Sequence, residues 1–463
     1  TERAAIARRV FVKGPLVINP AMQEFKKVAS TMSKILRSRK VVPLTLLETV
    51  YQLSEAKRKR YLTAYESLQD SGVVRSDARI AMFVKADKLN DVGAASKKPR
   101  AIQGRNPRFN LAIAQYLKPI EHSLMVWKGM KRGVQRSRFM AKGLNQWERA
   151  DLIVSKAGQF NRPCVISLDA SSFDASVAVE HLLATHKLYL NMVDTPEFRK
   201  LLSWTIKNVG MTGVGHEKYS ILGNRMSGDI DTGLGNSMIN YLVFTTIMKR
   251  LGIHKWDFLC DGDDALLFVE EGTTSMGAIS YESSLLGFDL TGDECVVADG
   301  SFWNIEFCRS RPVFTEKGWV MARNPRRALA CFGVTHRYVS WPQERFLGFL
   351  KGCGLCELHI SANLPMVGCF AKAVTAITSA DPYFGEEERW RGGVRLEVEK
   401  LRGIEVNVLD ITRKHFELAF GVSIEEQLEY ERQVPQIVTG GRGPRRVTHD
   451  VVIDKAQHYW VHS

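Results

Sequence analysis

Two short apolar runs, Trp256-Asp-Phe-Leu-Cys260 and Ala265-Leu-Leu-Phe-Val269, stand four residues apart, and the residues between them are Asp261-Gly-Asp-Asp264. So short a gap admits no crossover and predicts two antiparallel strands joined by a tight turn. Three carboxylates on four residues repel one another beside strands that read as buried, so folding stability does not account for them. They make sense around a cation. Oxygen-only ligands on a turn, with substrate phosphates completing the coordination, describe magnesium or manganese held for phosphoryl chemistry. A plain surface β-turn is the alternative at this point.

A second carboxylate stands at the end of another apolar run, Cys164-Val-Ile-Ser-Leu168, followed by Asp169. Two strand-end carboxylate sites that met in space would clamp two metals about 4 Å apart. Read alone, Asp169 is equally an N-cap. Asp174 follows in Asp169-Ala-Ser-Ser-Phe-Asp174, five residues on, as either an acceptor for a ribose hydroxyl or a first-turn helix acid. Ser227-Gly-Asp-Ile-Asp-Thr232-Gly-Leu-Gly-Asn236 packs three glycines into ten residues before a helical pattern at Ile239, Leu242, Val243, Ile247 and Leu251. Thr232 and Asn236, four apart, share a face once the helix has begun, and with Asp174 they could read a sugar 2′-hydroxyl. A capped helix with a flexible entry is the other reading.

Charge points the same way. The chain carries 64 Lys and Arg against 50 Asp and Glu; residues 1–150 hold 31 against 11, a net of +20, which leaves 33 against 39 for the rest. So large a local excess is a field aimed at a polyanion, and it suits nucleic acid. Six cations lie between Lys85 and Arg105, and Lys98-Pro-Arg100 falls between two apolar stretches, Ile80–Val84 and Ala101-Ile102, that read as strand and return. Arg grips phosphate as a planar fork and Lys as a point charge, so this loop suits a triphosphate or an RNA surface.

At 463 residues, 45% hydrophobic and 25% charged, the chain reads as a globular body of about three domains. Residues 20–70 carry helical patterning broken at Pro43, and from Pro325 to about Tyr430 the pattern is again mainly helical. No run approaches the roughly 18 apolar residues of a membrane span. The first residues offer no signal core, so the chain is expected to be a piece of a longer product. Eight sparse cysteines suit a reducing compartment. Cys353-Gly-Leu-Cys356 with His359 could form half a zinc site, or could be small residues in a packed helix.

The order of basic loop, Asp-x4-Asp, Ser-Gly-x3-Thr-x3-Asn and Gly-Asp-Asp resembles the successive motifs of RNA-dependent RNA polymerases of positive-strand RNA viruses. Phe83-Val-Lys-Ala, Pro99-Arg-Ala-Ile-Gln, Arg105-Asn-Pro-Arg-Phe-Asn110, Ile305-Glu-Phe-Cys308, Trp319-Val-Met-Ala-Arg-Asn-Pro325 and His415-Phe-Glu-Leu-Ala-Phe-Gly421 narrow the resemblance to the tombusvirus and carmovirus type. It implies an α+β right hand of fingers, palm and thumb, with an antiparallel palm sheet resembling an RNA-recognition motif and a mainly helical thumb. The expected segments are fingers with an N-terminal extension (1–160), palm (161–182), a fingers insertion (183–224), palm (225–322), thumb (323–438) and a basic linker and tail (439–463).

The resemblance also implies roles. Asp169 and Asp263, with Asp264 accessory, would hold two Mg²⁺ or Mn²⁺ ions. Asp174, Ser227, Thr232 and Asn236 would select the ribonucleotide, and Lys85, Lys98 and Arg100 would line the triphosphate channel. Gly228, Arg105, Phe307 and Cys308 would contact RNA, the last two in a hairpin gripping the nascent strand. The partners implied are a single-stranded RNA template, the nascent RNA and nucleoside triphosphates. Attachment to membrane-bound replication complexes in the host cytoplasm would come from an upstream domain or a membrane-anchoring viral replication protein. The oligomeric state is not set by these motifs. Gly287–Cys295, where many such enzymes carry a lysine that protonates pyrophosphate, has neither Lys nor His, so the general acid is left unassigned. A reverse transcriptase, a two-metal nuclease and a non-enzymatic RNA-binding protein are the competing readings.

Overall fold

The computed structural model describes residues 2–12, 16, 19–85, 99–335, 338, 341–384, 390–391, 394–395 and 403–439. Its strands are β1 (Ile80–Val84), β2 (Ala101–Arg105), β3 (Pro163–Ala170), β4 (Lys207–Thr212), β5 (Lys218–Leu222), β6 (Asp257–Asp261), β7 (Asp264–Glu270), β8 (Leu290–Val296), β9 (Ser310–Thr315), β10 (Gly318–Arg323), β11 (Trp390–Arg391) and β12 (Val394–Arg395). Helices surround several separate sheets, a mixed α and β architecture. Two compact units are present. The first gathers the described residues of 1–87, 96–142 and 159–296, and the second those of 143–158 and 297–463.

The centre of the first unit is an antiparallel sheet in the order β6-β7-β3-β8. Its inner strands are almost wholly apolar because both faces are covered: Val165, Ile166, Leu266, Leu267 and Phe268 are all fully buried. Helices Pro20–Leu36, Pro107–Met125, Val179–Met192 and Thr232–Arg250 share one core with this sheet. The first shows how the sequence sets an element. Asn19 caps it by accepting from the Met22 N–H at 3.0 Å, Pro20 opens it, and Met22, Phe25, Met32 and Leu36 are buried along its inner stripe.

The second sheet of this unit runs β2-β1-β4-β5, with β1 and β4 parallel and the other pairs antiparallel. Helix Glu2–Arg9 contacts it at β1 and β2, and Ala5, Val10, Ile80, Met82, Tyr219 and Met226 form a small core there. The opposite face is open. The segment 80–84, expected as a short buried strand, is a strand buried on one side: Ile80 and Met82 face inward while Phe83 is 53% exposed.

In the second unit, the β9–β10 hairpin packs with helices Gln343–Ser361, Val367–Ala376, Asp410–Phe420 and Ile424–Thr439 around Phe349, Phe370, Phe416 and Tyr430. The helical pattern expected after Pro325 is found there, interrupted by the short β11–β12 pair. The tail expected as a basic linker lies outside the described residues after Thr439.

Candidate active site

The Asp261-Gly-Asp-Asp264 turn is a two-residue hairpin: Asp261 pairs with Asp264, and Gly262 and Asp263 form the corner. Gly262 sits at φ +72 while Asp263 does not enter the positive region, the pattern of a turn with glycine at its first central position. The corner is held from helix Thr232–Arg250. Gly262 N–H donates to Ser237 Oγ at 2.9 Å, and Asn240 Nδ2 donates to the carbonyls of Gly262 (3.1 Å) and Asp263 (3.2 Å).

Strand β3 lies beside β7 in a register that pairs Leu168 with Ala265. One step further along the same ladder brings Asp169 opposite Asp264, at the roughly 5 Å backbone spacing of neighbouring antiparallel strands. On its other side Asp169 pairs with Thr291 of β8. Asp169, Asp263 and Asp264 are all exposed at this end of the sheet. Carboxylate oxygens gathered on strand ends fit a hard divalent cation whose remaining ligands are water and phosphate. Among the described residues, no three His, Cys, Asp or Glu side chains close around a metal by themselves.

Asp174 stands next to this cluster. Its Oδ1 accepts from Asn236 Nδ2 at 2.8 Å, and its backbone carbonyl accepts from Arg225 N–H. Burial pushes its carboxyl up to about 6; the Asn236 hydrogen bond opposes this and the charge of Asp263 adds to it. Asn236 Oδ1 is buried without a partner, so this pair of side chains offers a ligand a carboxyl and a spare amide oxygen. The helix begins at Thr232, ahead of the apolar pattern that starts at Ile239, and Thr232, Asn236 and Asn240 fall at successive i+4 positions.

The two hydroxyls expected at the ribose are engaged with the backbone. Ser227 Oγ donates to Ala101 C=O at 2.8 Å and accepts from Gln103 N–H at 3.2 Å, which ties the glycine-rich loop to β2. Thr232 Oγ1 reaches the carbonyls of Asp229 (2.8 Å) and Met226 (3.0 Å). Gly228 lies against β2 so closely that a Cβ there would meet Gln103 O at 2.6 Å. Lys85 and Arg100 are exposed and joined by a backbone bond from Lys85 N–H to Arg100 C=O at 2.8 Å, while Lys98 lies outside the described residues.

The family model described as viral RNA dependent RNA polymerase matches residues 1–438. The chain belongs to that family. Among curated relatives, the RNA-directed RNA polymerase of Groundnut rosette virus is 31% identical over 90% of this chain and 49% of its own length. That of Turnip crinkle virus is 32% identical over 66% and 39%, and that of Carnation mottle virus 30% over 82% and 49%. This polymerase-family chain thus spans about half the length of the curated relatives it matches. The family uses divalent metal in general, in keeping with the oxygen-only donor set.

Two of the RNA contacts that the resemblance implies have other surroundings in the structure. Arg105, expected to contact RNA, is only 4% exposed: its guanidinium is committed to Asp229 (2.5 Å), Asn208 Oδ1 (2.7 Å) and the Ala78 carbonyl (2.7 Å), so it braces the loop and sheet. Phe307 is 2% exposed and bridges to Ser310, which keeps its ring inside the second unit; Cys308 beside it is half-buried at φ +50, its sulfur accepting from Arg149 Nη1. Of the two readings left open for Cys353, Cys356 and His359, the packed helix matches their surroundings, and among the described residues no group of three metal ligands forms. Cys353 joins the core around Phe349, Cys356 packs with Leu355 and Phe384, and the His359 ring lies edge-on to Trp147.

Sequence reasoning missed the supports. Asn240 carried a signal in the i+4 series from Thr232; Ser237, beside Asn236, lies outside that series and carried none. Arg225, which donates to buried Asp231 at 2.8 Å while Tyr189 OH donates to the same carboxylate at 3.1 Å, carried none, because these partners are brought together only by the fold.

Proposed function

We propose that this chain copies single-stranded RNA from nucleoside triphosphates by two-metal nucleotidyl transfer. The observation that supports this reading is the β3–β7 register, whose last pair, Leu168 with Ala265, stands one step from Asp169 on one strand and Asp264 on the other, in a chain of the viral polymerase family. In it Asp169 and Asp263, with Asp264 accessory, hold two Mg²⁺ or Mn²⁺ ions. Bound there, such ions supply Lewis-acid charge neutralisation for displacement at an α-phosphate. The protein's own share is position. Asn236 orients Asp174 to take a ribose hydroxyl, Lys85, Lys98 and Arg100 hold the triphosphate, and Ser237 and Asn240 keep the corner from moving.

In the right-hand layout that goes with this reading, the β6-β7-β3-β8 sheet is the palm, the β2-β1-β4-β5 sheet belongs to the fingers, and the helices after Pro325 form the thumb. The partners are template, nascent RNA and nucleoside triphosphates. Placement at cytoplasmic membrane complexes depends on a replication protein or domain outside this chain. The test is extension of a single-stranded RNA by the purified chain with Mg²⁺ or Mn²⁺, using ribo- and deoxyribonucleotides. Wild type extends RNA with ribonucleotides, and Asp169→Ala and Asp263→Ala lose synthesis while still binding RNA. Shortened RNA, a preference for deoxyribonucleotides, or full activity of Asp263→Ala overturns it.

A further inference from the structure

We propose that the open face of the β2-β1-β4-β5 sheet is a binding surface for single-stranded RNA, separate from the carboxylate corner. Strand β4 carries the first observation. It reads Lys207-Asn-Val-Gly-Met-Thr212, and its burial runs opposite to its hydropathy: Asn208, Gly210 and Thr212 point in, while Val209 and Met211 are 44% and 43% exposed. Strands normally bury their apolar set, so a strand that turns it outward is keeping that face for something else.

The neighbouring strands continue the surface. Phe83 on β1 is 53% exposed and Leu222 on β5 is 66% exposed. On the β2 side of Phe83 the face is flat, because Ala81 pairs with Gly104 and a Cβ on Gly104 would meet open space. Cations are interleaved with the apolar groups. Lys207 pairs across the ladder with Leu222, and Lys218 pairs with Met211. At the Lys207 end a cavity of about 250 Å³ opens between Arg75, Arg79, Lys207, Val209 and Trp204, whose ring lies 5.1 Å from Lys200 Nζ.

Among the described residues, Arg75, Arg79, Lys207 and Lys218 have no carboxylate partner, and the acids nearby are already used. Glu217 pairs with Arg3, Glu2 accepts from Gly215 N–H at 2.7 Å, and Asp77 pairs with Arg108 at 3.2 Å. An apolar flat face ringed by unanswered positive charge suits a polyanion that also carries flat apolar faces, which is single-stranded nucleic acid: phosphates on the lysines and arginines, bases on Phe83 and Met211. A duplex hides its bases. A second copy of the chain would bring Lys207 and Lys218 against like charges with no acid to answer them.

The experiment is fluorescence anisotropy of a short labelled oligouridylate with the full chain in EDTA, across a salt series. Phe83→Ala should weaken binding about ten-fold with the salt slope unchanged. Lys207→Glu with Lys218→Glu should weaken it further and lower the slope by at least about one. These side chains are exposed, so melting temperatures should stay at the wild-type value and confirm that the variants fold. The proposal fails if both variants bind like wild type, if Phe83→Ala is harmless while the charge variant is not, or if duplex RNA binds equally well. It also fails if the chain proves dimeric and Phe83→Ala separates the copies. No synthesis is measured, so loss of oligonucleotide binding here and loss of extension in Asp263→Ala are distinguishable results.

Discussion

A carboxyl whose proton leaves only near pH 6 stands beside the proposed catalytic acids. Asp174 has its ordinary value of 3.8 raised because it is buried, so it is neutral below about 6 and charged above. As an acceptor for a ribose hydroxyl it works best ionised. The KM for ribonucleotides should therefore rise as pH falls through about 6. Asp174→Asn should remove that inflection and cut discrimination against deoxyribonucleotides by roughly ten-fold, the worth of a hydrogen bond to a charged group. Steady-state incorporation of both nucleotide types across pH checks this, and an unchanged inflection in the variant would sink it. Two glycines make a second comparison at the same scale. A Cβ on Gly262 meets open space, so Gly262→Ala costs only the left-handed backbone, about 1–2 kcal/mol. Gly228 has an ordinary φ, but a Cβ there meets backbone at 2.6 Å that cannot step aside. Gly228→Ala should accordingly displace the loop from β2 and lower activity more than Gly262→Ala, even if the two melt alike.

The carboxylate hairpin and the helix that supports it behave as one element. Gly262 N–H is buried against Ser237 Oγ, so Ser237→Ala leaves that donor unsatisfied, a loss of about 1–3 kcal/mol concentrated at the corner. RNA synthesis should drop in this variant by more than its melting temperature suggests, with RNA binding kept; retained activity at a lowered melting temperature would mean that the corner does not need this brace. The hairpin was legible because continuous apolar runs bounded by a short gap have one sensible solution, and β3 and the long helix were legible for the same reason of period. In the second sheet β1 and β2 were legible in the same way, but β4 and β5 were not. β4 and β5 alternate, but Asn208 is buried by its bonds to Arg105 and to the Thr205 and Gly223 carbonyls, so its burial follows hydrogen bonding and not hydropathy. β8 was missed because it is a polar edge strand, Leu-Thr-Gly-Asp-Glu-Cys-Val, recruited by pairing with β3. Of the site residues, those with side chains on strand ends and on one helix face could be placed from spacing. The burial of Arg105 and Phe307 could not, since nothing local distinguishes an arginine that braces a loop from one that meets phosphate.

At the scale of the molecule, the basic first third gives the chain its charge, but the response to acid depends on a few buried groups. His181 and His186 are both held neutral by burial, their ordinary value of 6.5 pushed down to about 4. His181 Nδ1 accepts from Ala178 N–H at 3.0 Å and its ring packs edge-on to Phe25, so a proton there would break a helix start inside the core. Between about pH 6.5 and 4 the unfolded chain takes up two protons that the folded chain refuses, and stability falls as pH falls. Asp174 acts in the opposite sense: its raised value means that the folded chain holds a proton between about 6 and 3.8 that the unfolded chain releases. The three groups together leave a net of about one proton, or roughly 1.4 kcal/mol of stability lost per pH unit below 6. Asp174→Asn removes the compensating group, and the slope should steepen towards two protons. Urea unfolding of wild type and variant from about pH 7 to about pH 5 measures both slopes. Parallel slopes would mean that the Asp174 carboxyl is not raised in the folded protein, and the pH dependence of nucleotide binding argued from it would fall with it.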